Sequence, residues 1–214
     1  MTKTKYITLS IALMIFASIA MSFISSNSKT EKYDYLVTIS TDFGDMKLML
    51  FDDTPIHKAN FIKLAQEEKF DSSIFHRVIN NFMIQGGALT PADQQAWDTL
   101  SFEDKTLPNE IMEKHKNIYG ALAAARIENP TKRSDNSQFY IVQNHSGAHY
   151  LDNNYTVFGQ LLVGYDVLDK IVSQKLNGSS PVEPIKMKVS VAKVKRTDMI
   201  KFYGDIYAKY AGGV

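Results

Sequence analysis

From Phe75 to Gly87 the chain reads Phe75-His76-Arg77-Val78-Ile79-Asn80-Asn81-Phe82-Met83-Ile84-Gln85-Gly86-Gly87, two short apolar segments joined by an Asn-Asn pair and closed by two glycines. Each segment alternates with the period of a β-strand, and the asparagines supply turn residues, so the stretch is a predicted hairpin. Alternate residues of a strand share a face, which lets Arg77, Met83 and Gln85 point to one surface. A cation bordering a soft apolar patch is unusual content for a hairpin that only fills a core.

The same period of two recurs along the chain. It predicts strands at Tyr35–Thr41 and Met46–Phe51, joined by the loop Asp42-Phe43-Gly44-Asp45, and further strands at Ile118–Ala125, Gln138–Val142 and Thr156–Leu162. A last strand follows where Lys186, Lys188 and Ser190 alternate with Met187, Val189 and Val191. Two helices are predicted in the body. One starts at Thr54-Pro55, with Thr54 as the cap and Pro55 at the first helical position, and runs to about Glu68. It turns Ala59, Phe61, Ile62, Leu64 and Ala65 to the core. The other spans Tyr165–Lys175 with the stripe Val167, Leu168, Ile171 and Val172. Ala88–Asn109 has no periodicity and reads as a long surface loop. Many strands, two short helices and no βαβ alternation point to a mainly β fold, an antiparallel sheet closed into a barrel.

At the N-terminus, Lys3 and Lys5 precede an apolar or small-residue run from Tyr6 to Ile24, followed by Ser25-Ser26-Asn27-Ser28. Residues 1–28 therefore read as a secretory signal peptide or an uncleaved signal anchor. Ala17-Ser18-Ile19-Ala20 offers small residues for cleavage, while a run of about 20 apolar residues is long enough to span a bilayer. Cleaved export and membrane anchoring through residues 6–24 both stay open, and both put the body in the periplasm or at the outer face of the cytoplasmic membrane. Residues 29–34 read as a tether, 35–196 as one domain, and 197–214 as a tail in which Met199–Tyr210 has the pattern of an amphipathic helix.

A formal net charge of +1 leaves no broad basic field, which excludes nucleic acid as a partner. The absence of cysteine excludes disulfides, thiolate chemistry and cysteine-ligated metal. His57, His76, His115, His145 and His149 show no metal-ligand spacing and read as surface or hydrogen-bonded histidines, so no metal is expected. Ser137, Ser146, His145 and Asp152 form no nucleophile-elbow sequence, which argues against a hydrolase.

Three separated segments, in order along the chain, resemble the cyclophilin family of peptidyl-prolyl cis/trans isomerases, in its bacterial, exported form. They are the hairpin Phe75–Gly87; Gly120-Ala121-Leu122-Ala123-Ala124-Ala125 with Asn136-Ser137-Gln138-Phe139-Tyr140-Ile141 downstream; and Tyr150-Leu151-Asp152 leading into Tyr155-Thr156-Val157-Phe158-Gly159. The resemblance spans Tyr35 to Lys195. It implies a closed eight-stranded antiparallel β-barrel capped by two α-helices, a monomer, no cofactor, and an outer groove that takes proline-containing segments of other polypeptides. By position it implies that Arg77 is the catalytic arginine, with Phe82 and Gln85 as further catalytic residues and Gln85 holding the substrate backbone. Phe82, Met83, Tyr140 and Leu151 would form the proline pocket, with Ala125, Arg126 and Gln138 beside it and Tyr150 and Tyr155 on its rim. The chain departs from the family at several places. Arg126 stands where many members carry Asn, Tyr140 where phenylalanine is common, and Tyr150 where a tryptophan is associated with cyclosporin binding. Ala88-Leu89-Thr90-Pro91-Ala92-Asp93 replaces a glycine-rich segment.

Taken singly, these residues have plainer readings. Arg77 would be a surface ion-pair residue, and Phe82, Met83, Tyr140 and Leu151 would be core. Ala121–Ala125 is either a tightly packed strand or a run of small side chains that admits a substrate backbone. Their joint occurrence carries the functional expectation: an isomerase that accelerates X-Pro rotation in exported proteins and so assists their folding. The alternative is a peptide-binding or chaperone module on the same fold with little turnover. His76, the residue a chemist would first suspect as a base, has no proton to abstract in a bond rotation.

Overall fold

The alternation becomes one eight-stranded antiparallel sheet in the computed structural model, which describes residues 31–71, 73–88, 95 and 98–211. In chain order the elements are β1 (Tyr33–Thr41), β2 (Gly44–Leu50), α1 (Pro55–Gln66), β3 (Arg77–Ile79), β4 (Met83–Gly86), α2 (Phe102–Lys105), β5 (Thr106–Leu107), β6 (Ala121–Ala124), β7 (Ser134–Asp135), β8 (Phe139–Val142), β9 (Val157–Val163), α3 (Tyr165–Val172), β10 (Leu176–Asn177), β11 (Ser180–Pro181), β12 (Lys188–Lys195) and α4 (Arg196–Tyr210). The large sheet runs β12-β1-β2-β9-β6-β8-β4-β3, and β5–β7 and β10–β11 form two small ribbons. The segments leading into the two outermost strands also meet. Ile74 bridges Lys186, Phe75 N donates to Ile185 O at 2.9 Å, and Met187 N donates to Ser73 O at 3.2 Å.

Period two sorts the strand residues onto two apolar faces. Met46, Leu48 and Leu50 of β2, Leu122 and Ala124 of β6, and Phe139 and Ile141 of β8 join Phe61 and Ala65 of α1 and Val167, Leu168, Ile171 and Val172 of α3. Met49, Ala121, Ala123, Tyr140 and Val142 point the other way, with Met83 and Ala125, toward Met199 and Tyr207 of α4. Because both faces are covered, β6 and β8 are buried at every residue. Each fully buried Leu, Ile or Phe side chain contributes roughly 1.5–3 kcal/mol.

The first helix differs from its sequence pattern in two ways. Its buried stripe is His57, Phe61 and Ala65, spaced by four, while Ala59 is exposed and Ile62 and Leu64 are only half-buried. Thr54 precedes the helix without a side-chain cap; its hydroxyl donates to Phe51 O at 3.3 Å. The capping acceptor comes from far away instead. Glu110 takes Ile56 N at 2.9 Å and His57 N at 2.8 Å, and its carboxylate lies 2.7 Å from His57 Nδ1. A carboxylate at these amides satisfies orphan donors and complements the helix dipole, so it serves better than the local hydroxyl. Glu68, expected to lie inside the helix, instead follows its end, with a left-handed φ of 56°.

The segment read as one surface loop, Ala88–Asn109, contains the helical turn α2 and the strand β5. Arg133 fastens them, donating to Thr106 Oγ1 at 2.6 Å, Thr106 O at 2.8 Å and Glu103 O at 3.0 Å. At the C-terminal end, α4 is broken at Gly204 (φ 48°, ψ −129°), yet Met199 and Tyr207 are fully buried. Tyr207 donates to Asp34 Oδ2 at 3.1 Å, and Lys58 Nζ lies 2.7 Å from Asp34 Oδ1. The signal peptide or anchor expected at 1–28, its apolar run 6–24 included, lies outside the described residues, as do the first residues of the tether.

Candidate active site

The hairpin register places the first site residues. Arg77 faces Gln85 and Ile79 faces Met83 across β3 and β4, so Arg77, Met83 and Gln85 share one side as the alternation required. Asn80, Asn81 and Phe82 make the connection, with Phe82 N donating to Ile79 O at 3.1 Å and Asn81 at φ 58°, a left-handed conformation that asparagine tolerates. Gln143 clamps this turn. Its Oε1 accepts from Asn81 N at 2.8 Å and its backbone N donates to Phe82 O at 2.8 Å. The paired glycines have a steric reason: Gly87 sits at φ 80°, and a Cβ there would collide with Ser137 O, while one on Gly86 would collide with Met187 Cε.

Strand β8 lies beside β4 with Tyr140 opposite Gln85, and the result is a groove of about 180 Å³. Sites for drug-sized molecules occupy about 300–1,000 Å³, so this one suits a single side chain. Met83 and Tyr140, 1% and 4% exposed, lie deepest, with Phe82, Leu151 and Tyr155 half-buried around them. Arg77 and Gln85 supply polar groups, and Ala125 and Arg126 complete the lining. Nine of the eleven residues named from the sequence thus line one groove. The other two stand next to it: Gln138 is hydrogen-bonded to Gln85, and the ring of Tyr150, 68% exposed, lies 5.8 Å from that of Phe82. Of the alanine run only Ala125 reaches the groove; Ala121 and Ala123 are core.

A relay of amides orients the arginine. Arg77 Nη1 donates to Gln85 Oε1 at 3.2 Å, Gln85 Nε2 to Gln138 Oε1 at 3.1 Å, and Gln138 Nε2 to Asp135 Oδ2 at 3.4 Å. Arg77 has no carboxylate partner among the described residues, and its guanidinium carbon is 6.0 Å from the centre of the Phe82 ring. Guanidinium donors therefore remain uncommitted beside an apolar pocket. Burial holds the neighbouring His76 imidazole below its ordinary value, and the Arg77 charge adds to that effect, so His76 is neutral at neutral pH. Arg126, with a side chain only 5% exposed, donates from Nε to Asn154 O at 3.1 Å, approaches Glu128 Oε2 at 3.2 Å and lies 4.9 Å over the Tyr155 ring. Burial, with the neighbouring Tyr155, Tyr150 and Asp152, pushes the Tyr140 phenol well above its usual range, so its hydroxyl stays a donor, here to Asn117 Oδ1 at 2.7 Å. Neither Asn117 nor Gln143 carries a sequence signal, because each acts on a residue distant in the chain. No group of three side chains that could hold a metal ion occurs among the described residues.

Residues 36–194 match the protein family described as cyclophilin type peptidyl-prolyl cis-trans isomerase/CLD. Peptidyl-prolyl cis-trans isomerase B of Escherichia coli is 37% identical over 143 residues, covering 64% of this chain and 83% of that protein. A Streptococcus pyogenes protein named as a bifunctional phosphatase/peptidyl-prolyl cis-trans isomerase is 38% identical over 165 residues, covering 63% of this chain but 33% of its own length, so the chain spans about a third of that relative. Among solved structures, a Cryptosporidium parvum cyclophilin type peptidyl-prolyl cis-trans isomerase, crystallised in the presence of the dipeptide Ala-Pro, is 27% identical with a TM-score of 0.63. That match covers 73% of this chain and 98% of the other.

Proposed function

The chain belongs to the cyclophilin-type peptidyl-prolyl cis-trans isomerases, and from that premise we propose that it rotates X-Pro bonds in unfolded or loop segments of exported proteins, with the groove at Arg77 as its active site. One observation carries this reading: an arginine held by Gln85 stands at the mouth of a pocket made by Phe82, Met83, Tyr140 and Leu151.

Amide resonance sets a rotation barrier of roughly 18–20 kcal/mol, while the X-Pro isomers differ by only about 0.5–1 kcal/mol. The catalyst therefore lowers a barrier and leaves the equilibrium where it was. As the bond twists, the prolyl nitrogen regains its lone pair and becomes a hydrogen-bond acceptor. Arg77, whose planar guanidinium fixes the direction of its donors, donates to it and so binds the twisted state more strongly than either planar one. The pocket holds the prolyl ring and keeps water from the arginine. Gln85, already paired with Arg77, holds the substrate main chain while the rest turns. No bond breaks and no proton moves, which leaves neutral His76 out of the chemistry.

On the same reading the sheet closes into a barrel, supported by the Ile74–Lys186 bridge between the approaches to its outermost strands. The groove is complete within a single chain, which is consistent with the proposal that the protein acts as a monomer without testing it. The apolar run 6–24 exports it or anchors it at the outer face of the membrane.

A protease-coupled prolyl assay tests the central claim. The wild-type protein is expected to accelerate isomerisation, and Arg77→Ala to lose about 10²–10³-fold in kcat with an unchanged circular dichroism spectrum. Full activity in Arg77→Ala overturns the assignment. Peptide affinity without any rate enhancement in the wild type replaces the enzyme with a binding module.

A further inference from the structure

The floor of the pocket and the wall beside it meet at one side chain. Asn117, which precedes β6, is fully buried, and all four of its polar atoms are engaged. Its Oδ1 accepts from the Tyr140 hydroxyl at 2.7 Å, and its backbone O accepts from Ala148 N at 2.7 Å. Its backbone N and its Nδ2 both donate to Asp152 Oδ1, at 2.7 Å and 3.0 Å. The other Asp152 oxygen lies 2.9 Å from His149 Nδ1. Ala148 and Asp152 bracket the 3-10 turn His149–Leu151, so one asparagine pins both ends of the segment that carries Tyr150 and Leu151, and the same amide holds the ring of Tyr140.

We propose that Asn117 is a positioning residue for the prolyl reaction, one that sets the gap between the Tyr140 floor and the Leu151 wall and so the width of the slot for the prolyl ring. The inference rests on the isomerase reading of the groove. A buried phenol needs an acceptor. An amide meets that need while still donating to a carboxylate, because it carries an acceptor and donors on one planar group. Aspartate in its place would face Asp152 with like charge, and alanine would leave both Tyr140 and Asp152 short of a partner. Asn117 touches no part of the groove lining's open side itself; it acts through two residues that do line the groove.

The test is a steady-state comparison in the prolyl assay. Asn117→Ala is expected to raise KM about fivefold, the effect of one or two lost hydrogen bonds, with kcat within about twofold. Ring contacts made equally in the ground and transition states appear in KM and not in kcat. In a Tyr140→Phe background the same change is expected to raise KM by less, since the shared hydrogen bond is already gone. Asp152→Asn keeps an acceptor for both Asn117 donors and is expected to hold KM near the wild-type value, whereas Asp152→Ala raises it. An unchanged KM in Asn117→Ala, an equal rise in both backgrounds, or identical behaviour of Asp152→Asn and Asp152→Ala overturns the proposal. If Asn117→Ala does not fold, the Asp152 pair decides alone. If the wild type shows no isomerisation, the proposed function fails by itself, and the dissociation constant of a proline-containing peptide then reads the same set of variants.

Discussion

At the scale of single residues, the role proposed for Arg77 depends on the orientation of its donors as well as on its charge. Among the described residues its guanidinium is hydrogen-bonded to Gln85 alone, and Gln85 is itself held by Gln138. Gln85→Ala is therefore expected to lower kcat about tenfold or more while leaving the charge in place, because a catalytic donor misplaced by about 1 Å can cost 10²-fold. Transient kinetics at saturating peptide would measure this, and an unchanged kcat would show that Arg77 needs no such support. Of this relay, Arg77 and Gln85 were legible from strand alternation, Gln138 only through the family resemblance, and Asp135 not at all. Strand alternation is local, so Arg77, Met83 and Gln85 could be assigned to one face without knowing any other part of the molecule. Tyr140 was legible as a ring but not as a donor, since the partner of its hydroxyl, Asn117, lies on another segment.

At the scale of elements, the strands of the large sheet and the starts of α1 and α3 follow from period and turn residues, and the structure departs from that pattern where a distant group takes over a local task. The start of α1 is the clearest case. Thr54-Pro55 marks it correctly, yet Glu110 supplies the acceptors for Ile56 N and His57 N. Glu110→Ala is expected to destabilise the fold by about 2 kcal/mol, from two uncapped amides and a stranded imidazole, read as a lower urea midpoint at constant slope. A midpoint equal to wild type would mean that solvent caps the helix equally well. Helix α4 teaches the same lesson. Its amphipathic pattern was visible, but that Met199 and Tyr207 are fully buried and that Tyr207 reaches Asp34 follows only from packing.

For the molecule as a whole, buried and half-buried titratable groups set an acid limit. Burial lowers the imidazoles of His57 and His76 below the ordinary value of 6.5, in His57 against the opposing pull of Glu110. The unfolded chain then binds protons more readily than the folded one, so their contribution is complete above pH 6.5 and is lost as pH falls below it. Asp152 and Asp169 follow at lower pH. Burial acts to raise both, but hydrogen bonds from Asn117 and His149 to the first, and from Gln143, Tyr119 and His145 to the second, hold them below 3.8. Their stabilisation is present above that value and disappears as pH drops through the folded pKa. Urea midpoints are expected to be flat from pH 8 to 7, to decline from about 6.5, and to fall again in the carboxylate range; a midpoint higher at pH 5.5 than at pH 7 would contradict the assignment. The sequence by itself determined the strands of the large sheet and the common face of Arg77, Met83 and Gln85, because strand periodicity and turn chemistry are properties of neighbouring residues. Only the tertiary structure decided the order of strands in the sheet, the Glu110 cap, the Asn117 support beneath the pocket and the seat of α4. Those depend on which buried donor meets which acceptor once the chain has folded, and the partners lie as far apart as Asp34 and Tyr207.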